Sequence, residues 1–159
     1  MTGVNELVRR WEAVAAALES GDADACLQAV HNWIEEWDRR FWSSDFSGFE
    51  RIYAPDFVGH TRIAIIGTSA IHGPQGFMKL REEVSEAASR FWFEVREVRL
   101  GPEGTFAGVG RLKARGRYSG LVLKAPLAVV WRVRDGWLVE AAAYLNPRRA
   151  LRELEAAVG

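Results

Sequence analysis

Apolar residues recur along this chain in two rhythms, and the change from one to the other divides it. Leu7, Val8, Trp11, Val14, Ala15 and Leu18 fall at helical spacing, and Gly21 stands where a left-handed residue closes a helix. A second helix is predicted from about Ala23 to Trp42. Val30, Trp33, Ile34, Trp37 and Phe41 form its apolar stripe, and Glu35, Glu36, Asp38, Arg39 and Arg40 form its other face. A short helix from about Phe46 to Tyr53 follows Asp45 as its N-cap and is stopped by Pro55. Gly73-Pro74 opens a further helix whose buried face is Phe77, Leu80, Val84, Ala87 and Phe91. From there the period falls to two, which predicts strands over about Phe91 to Leu100, Phe106 to Leu123, Leu127 to Arg134 and Trp137 to Leu145. Asn146-Pro147 reads as the N-cap and first position of a last helix carrying Leu151 and Leu154.

The last two strands carry the strongest local signal. Asp135-Gly136 is a two-residue hairpin turn in which both residues take positive φ. Pairing outward from it sets Arg134 against Trp137, Val133 against Leu138, Trp131 against Glu140 and Val129 against Ala142. One face then carries Val129, Trp131, Val133, Leu138 and Ala142, with Glu140 as a lone carboxylate among them. The other carries Ala128, Val130, Val139, Ala141 and Ala143. Both faces are mostly apolar, so both need cover, by the chain's own helices on one side and by a partner subunit on the other. Helices first and a run of antiparallel strands after them predict an α+β fold, with helices on one face of a curved sheet. At 159 residues the chain is read as one domain, 1–159, with residues 1–22 as an added N-terminal helix.

Composition narrows the function by exclusion. Lys and Arg (21) balance Asp and Glu (21), so charge gives no reason to expect a nucleic-acid partner. Arg111, Lys113, Arg115 and Arg117 alternate along a predicted strand and read as its solvated face. Cys26 is the one cysteine, facing inward beside Leu27 and Val30, which favours an inert thiol. No stretch approaches the ~20 apolar residues of a membrane span and the first residues have no signal-peptide core, so a cytoplasmic protein without a membrane partner is expected. There is no phosphate loop, dinucleotide fingerprint or Ser-His-Asp order. The eleven residues between His60 and His72 match no tight metal-ligand spacing.

Several local motifs, in this order, resemble the SnoaL-like family of the NTF2-like superfamily. They are Ser44-Asp45-Phe46 with Phe49, Tyr53-Ala54-Pro55-Asp56-Phe57-Val58, Gly73-Pro74-Gln75-Gly76-Phe77, Arg115-Gly116-Arg117 before Ser119-Gly120, and Val130 through Gly136. The resemblance runs from about Phe41 to Leu151. It implies a cone with one deep apolar pocket between a curved, mostly antiparallel sheet and the helices, usually in a homodimer, here through the outer sheet face. It also implies a small hydrophobic ligand and no metal or organic cofactor; members include ketosteroid isomerases, polyketide cyclases, dehydratases and epoxide hydrolases.

In such a pocket an apolar surround favours the neutral form of a carboxylate and brings it toward working pH as a general acid or base. Glu140, on the face of Trp131 and Val129, is the first candidate for that role, and a rim salt bridge is its plainer reading. His60 falls where cyclase-like members carry a histidine after the first strand, and is expected to point into the cavity as the polar partner. Trp37, Phe41, Trp131, Val129, Tyr144 and Asn146 are the expected substrate contacts. Asp56 reads as a capping or paired residue. Asn146 stands where cyclase-type members have an acid, and helix capping explains it. Three outcomes remain open: a cofactor-free proton-transfer enzyme, a non-catalytic ligand-binding or dimeric protein, and a pocket filled by its own tryptophans.

Overall fold

The computed structural model describes residues 5–61 and 70–156. Helices α1 (Glu6–Ser20) and α2 (Ala23–Trp42) come first, capped by the Asn5 and Asp22 carboxamide and carboxylate, and Gly21 takes φ 71° between them. Residues 1–4 of the expected N-terminal segment lie outside the described residues. Where a third helix was expected, the chain makes only a 3-10 turn at Phe49–Arg51. Asp45 caps no helix: its carboxylate accepts from the backbone N and Oγ of Ser47. Strand β1 (Tyr53–Thr61) has begun before Pro55, and the irregular register between Tyr53 and Val58 accommodates the proline that a regular ladder would reject. A short β2 (Ile71–His72) precedes helix α3 (Gly76–Val84); Gly73 and Pro74 form the turn before it rather than its first residues.

The remaining strands are β3 (Ala88–Leu100), β4 (Thr105–Gly116), β5 (Val122–Arg134) and β6 (Trp137–Tyr144), followed by helix α4 (Pro147–Ala156). The six strands lie in the order β2-β1-β6-β5-β4-β3, antiparallel except for β1 against β6. The β4–β5 turn falls at residues 117–121, several residues before the break the sequence suggested. There Gly120 takes φ 68°, Gly116 N donates to Leu121 O, and Ser119 Oγ accepts from Leu121 N. Pro126 stands inside β5.

The main core lies between one sheet face and α1, α2 and α3, built from Trp11, Trp33, Phe41, Phe57, Phe77 and Trp131 among others. The added first helix is part of it: Leu7, Trp11 and Val14 are buried, and Trp11 Nε1 donates to Gly136 O at the β5–β6 turn, 3.0 Å away. A second, smaller cluster of Ala128, Ala142, Tyr144 and Ala150 lies on the opposite face, with Val109 and Val130 against it. Ala150 belongs to α4, so the chain's own C-terminal helix covers ground that a partner subunit was expected to cover.

The bend of β3 across β4 depends on one glycine. The β3–β4 register shifts between Val95 and Glu97, a bulge opposite Gly110, and a Cβ on Gly110 would collide with the Glu94 carbonyl oxygen. Gly110→Ala is therefore expected to destabilise the protein by about 1–3 kcal/mol, read as a lower urea midpoint at unchanged slope. An unchanged midpoint would show that the two strands are not held this close.

Candidate functional site

A cavity of about 160 Å³ lies between the sheet and helices α2 and α3. Its walls are large rings held by one another, among them Trp33, Trp37, Phe57, Phe77, Phe93 and Trp131. Trp131 stacks on Phe106 and meets Trp33 edge-on, with centroids 5.0 and 5.8 Å apart. It lies over Gly108, where a Cβ would come within 2.9 Å of the indole. Phe41 stands behind Trp37, stacked at 4.8 Å with the planes 10° apart. Such rigid rings wall the space without closing it.

Few polar groups reach this lining. Tyr53 accepts a 2.9 Å hydrogen bond from Trp37 Nε1, and burial pushes its phenol well above the usual range, so its O–H stays protonated as a donor. The Trp33 Nε1–H is buried with no hydrogen-bond partner among the described residues. Among the described residues the carboxylate of the cavity is Asp38. It stands on α2 among Ile34, Trp37 and Trp92, with its side chain 14% exposed, and it pairs with Arg90 through a 2.6 Å Nη2–Oδ2 contact. Burial raises its pKa above the ordinary 3.8, and the Arg90 guanidinium and the Trp42 indole only partly oppose that rise. Arg90 lies over the ring of Trp92 at 5.0 Å and is more than half exposed, so Asp38 marks the edge of the cavity nearest solvent.

The sequence-predicted residues divide. Trp37, Trp131 and Val129 line the cavity. Glu140 does not. Val133 pairs with Leu138 as expected, but a bulge follows, and Arg132 then opposes Glu140 while Trp131 opposes Ala141. Val139 is the extra residue, and it turns Glu140 to the face opposite Trp131. Ala141 and Ala143 take the inner positions instead. His60 borders the cavity, yet strand alternation gives its inner face to Phe57, Gly59 and Thr61 and sets His60 level with Ala142 of the outer cluster. Tyr144 is buried in that outer cluster with Arg149 over its ring, and Asn146 caps α4 by accepting from Arg148 N at 3.0 Å. Asp56 and His72 are exposed, and no cluster of metal-ligating side chains occurs among the described residues. Cys26 is buried, which pushes its thiol up.

Asp38 is the residue that sequence reasoning missed, and a signal for it existed. It lies four residues after Ile34 and three before Phe41, on the edge of the apolar stripe rather than on the polar face to which it was assigned.

Comparison with known proteins agrees with this architecture. The SnoaL-like domain family matches residues 30–141, from within α2 to the middle of β6. No curated protein matches the chain significantly. Among solved structures, an NTF2-like protein of unknown function from Burkholderia pseudomallei is 17% identical over 76% of this chain and 93% of its own, with a TM-score of 0.58. A putative SnoaL-like polyketide cyclase from a Jannaschia species is 11% identical over 98% and 99%, with a TM-score of 0.55. A protein named TerC, co-crystallised with polyporic acid, is 17% identical over 73% and 89%, with a TM-score of 0.57. Identities this low speak to the fold alone.

Proposed function

Because the chain belongs to the SnoaL-like domain family, we propose that it acts on a small hydrophobic molecule in this cavity by proton transfer, with Asp38 as the general acid or base. The observation that supports this is the one carboxylate that lines the cavity among the described residues, largely buried among aromatic rings, with burial raising its pKa above the ordinary 3.8. Isomerisation, cyclisation and dehydration all require a proton to leave or reach carbon or oxygen, and one such group can move it. Tyr53 O–H supplies a neutral donor in the same lining. Glu140, which the sequence favoured for this role, stands on the other face of the sheet.

Size limits the ligand. A dry cavity of about 150 Å³ takes one benzene-sized ring, so about 160 Å³ admits one ring and not a steroid skeleton. Any further part of the ligand would lie at the Asp38–Arg90 edge. Binding without turnover is the second reading, favoured by the 2.6 Å ion pair, which gives Asp38 a structural partner already.

A thermal-shift series of one-ring ketones, phenols and lactones tests the proposal. A compound at about one hundred times its dissociation constant should stabilise the fold by about 2.7 kcal/mol, or about 5–10 °C in melting temperature for a domain this size. Melting points that stay put across the whole series would sink the one-ring ligand.

A further inference from the structure

From Gly104 to Arg134 the chain contains no Asp or Glu, yet it carries Arg111, Lys113, Arg115, Arg117, Lys124, Arg132 and Arg134. The fold gathers the first five at one end of the β4–β5 hairpin, and at its tip it exposes apolar side chains. Tyr118 is 90% exposed, Leu121 67%, Leu123 55% and Val122 40%. Lys113 and Lys124 face each other across the two strands, and Arg115 faces Val122. Glu94 is the neighbouring carboxylate on this face, and it is already paired with Lys113 at 2.6 Å and Arg96 at 3.2 Å. Glu86 directly precedes Ala87, whose carbonyl meets Arg117 at the base of the tip. The tip is held in place: Arg117 N donates to Ala87 O, and Arg117 Nη1 donates to Ser85 O.

From this combination we infer that the β4–β5 hairpin docks the protein on an anionic lipid surface, with Tyr118, Leu121, Val122 and Leu123 entering the headgroup region and Arg111, Arg115, Lys124 and their neighbours meeting lipid phosphates. Three features select this occupant. The tip exposes apolar side chains on both strand faces, since Val122 and Leu123 are successive residues that point to opposite sides, so it needs a medium that yields around it rather than a flat protein surface. Nucleic acid would satisfy the cations and give the leucines nothing. A second copy docked symmetrically would set two like-charged collars against each other. Charged lipid headgroups over an acyl interior satisfy both sets of side chains at once. Docking of this kind is peripheral, in keeping with the absence, among the described residues, of a helix long and apolar enough to cross a membrane. The tip also adjoins the cavity, since Leu123 and Ala114 share a sheet row with Phe91, which lines it.

Vesicle sedimentation of the full-length protein tests the inference. Vesicles of phosphatidylcholine with about one third phosphatidylglycerol should pellet at least about tenfold more protein than phosphatidylcholine alone at about 0.1 M salt, and about 0.5 M salt should release it. Leu121→Ser with Leu123→Ser, and separately Arg115→Gln with Lys124→Gln, should each lose most of that binding. Cys26 is buried, so a Tyr118→Cys variant can carry one environment-sensitive dye, whose emission should shift to the blue on anionic vesicles. That reading holds even where a double variant folds poorly. Folded protein that ignores anionic vesicles overturns the inference, and so does binding that both tip variants retain. A concentration-dependent dimer dissolved by Leu121→Ser with Leu123→Ser, without vesicle binding, overturns it in favour of a second copy. Tip-dependent binding of an RNA oligomer in place of vesicles overturns it in favour of nucleic acid.

Discussion

Glu36→Ala is expected to lower the stability of the fold by about 3 kcal/mol, because it leaves the buried Arg40 guanidinium with the half-exposed Asp45 carboxylate, 3.8 Å away, as its remaining counter-charge. Glu36 and Arg40 have side chains only 6% and 9% exposed, joined at 2.7 Å from Nε to Oε2. Arg40 Nη1 also donates to the carbonyl and hydroxyl oxygens of Ser47, each at 3.1 Å, and Asn5 Nδ2 reaches the same carbonyl. The pair therefore fastens the loop after α2 against the start of α1. Glu36→Ala combined with Arg40→Met should cost less than Glu36→Ala alone, because no charge is then stranded. Urea unfolding reads both, and a loss below about 1 kcal/mol in the single variant would refute the assignment. Acid should have a parallel effect. Arg39 and then Arg40 hold the Glu36 carboxyl at about 2, against an ordinary 4.5. A depressed carboxylate contributes fully above its unfolded pKa, so this contribution is present above about pH 4.5 and fades as pH falls toward 2. Arg39 is 64% exposed, so salt screens its share, and the buried Arg40 provides the part that persists.

The same helix shows how much the sequence could and could not tell. Its bounds and its apolar stripe were legible, because caps and 3.6-residue spacing are local properties. Its polar face was not, because the loop and 3-10 turn at residues 43–51 fold back over it and bury Glu36 and Arg40. A charged residue on a helix face looks alike in sequence whether water or another segment covers it. The β5–β6 hairpin repeats the lesson at finer scale. Asp135 and Gly136 both take positive φ as the turn type requires, and the first pairs outward were right. A single extra residue, Val139, then changed the face of everything beyond it, so Glu140 left the cavity and Ala141 replaced it. Nothing local marks that bulge. The family resemblance was readable because order and spacing of motifs survive such slips, whereas the identity of the cavity's acid does not.

Asp38→Asn is expected to reduce proton-transfer activity by about 10²–10⁴-fold while leaving ligand-induced stabilisation in place, since the amide keeps the side chain's size while losing its proton exchange and its charge beside Arg90. The assay needs no known substrate. A one-ring ketone that stabilises the protein can be followed by NMR for deuterium uptake at the carbon beside its carbonyl. A base works when deprotonated, so exchange should rise with pH through the Asp38 pKa, which burial places above 3.8. Arg90 is the charge that opposes this rise, from 2.6 Å. Arg90→Gln should therefore move the acidic limb of the profile further up, whereas a merely structural ion pair would show a lower melting temperature and no displaced limb. Exchange that persists in Asp38→Asn, or a limb that Arg90→Gln leaves unmoved, would remove Asp38 from the chemistry. In the latter case the pair would serve to close the cavity's solvent edge, and a group other than Asp38 would carry the exchange.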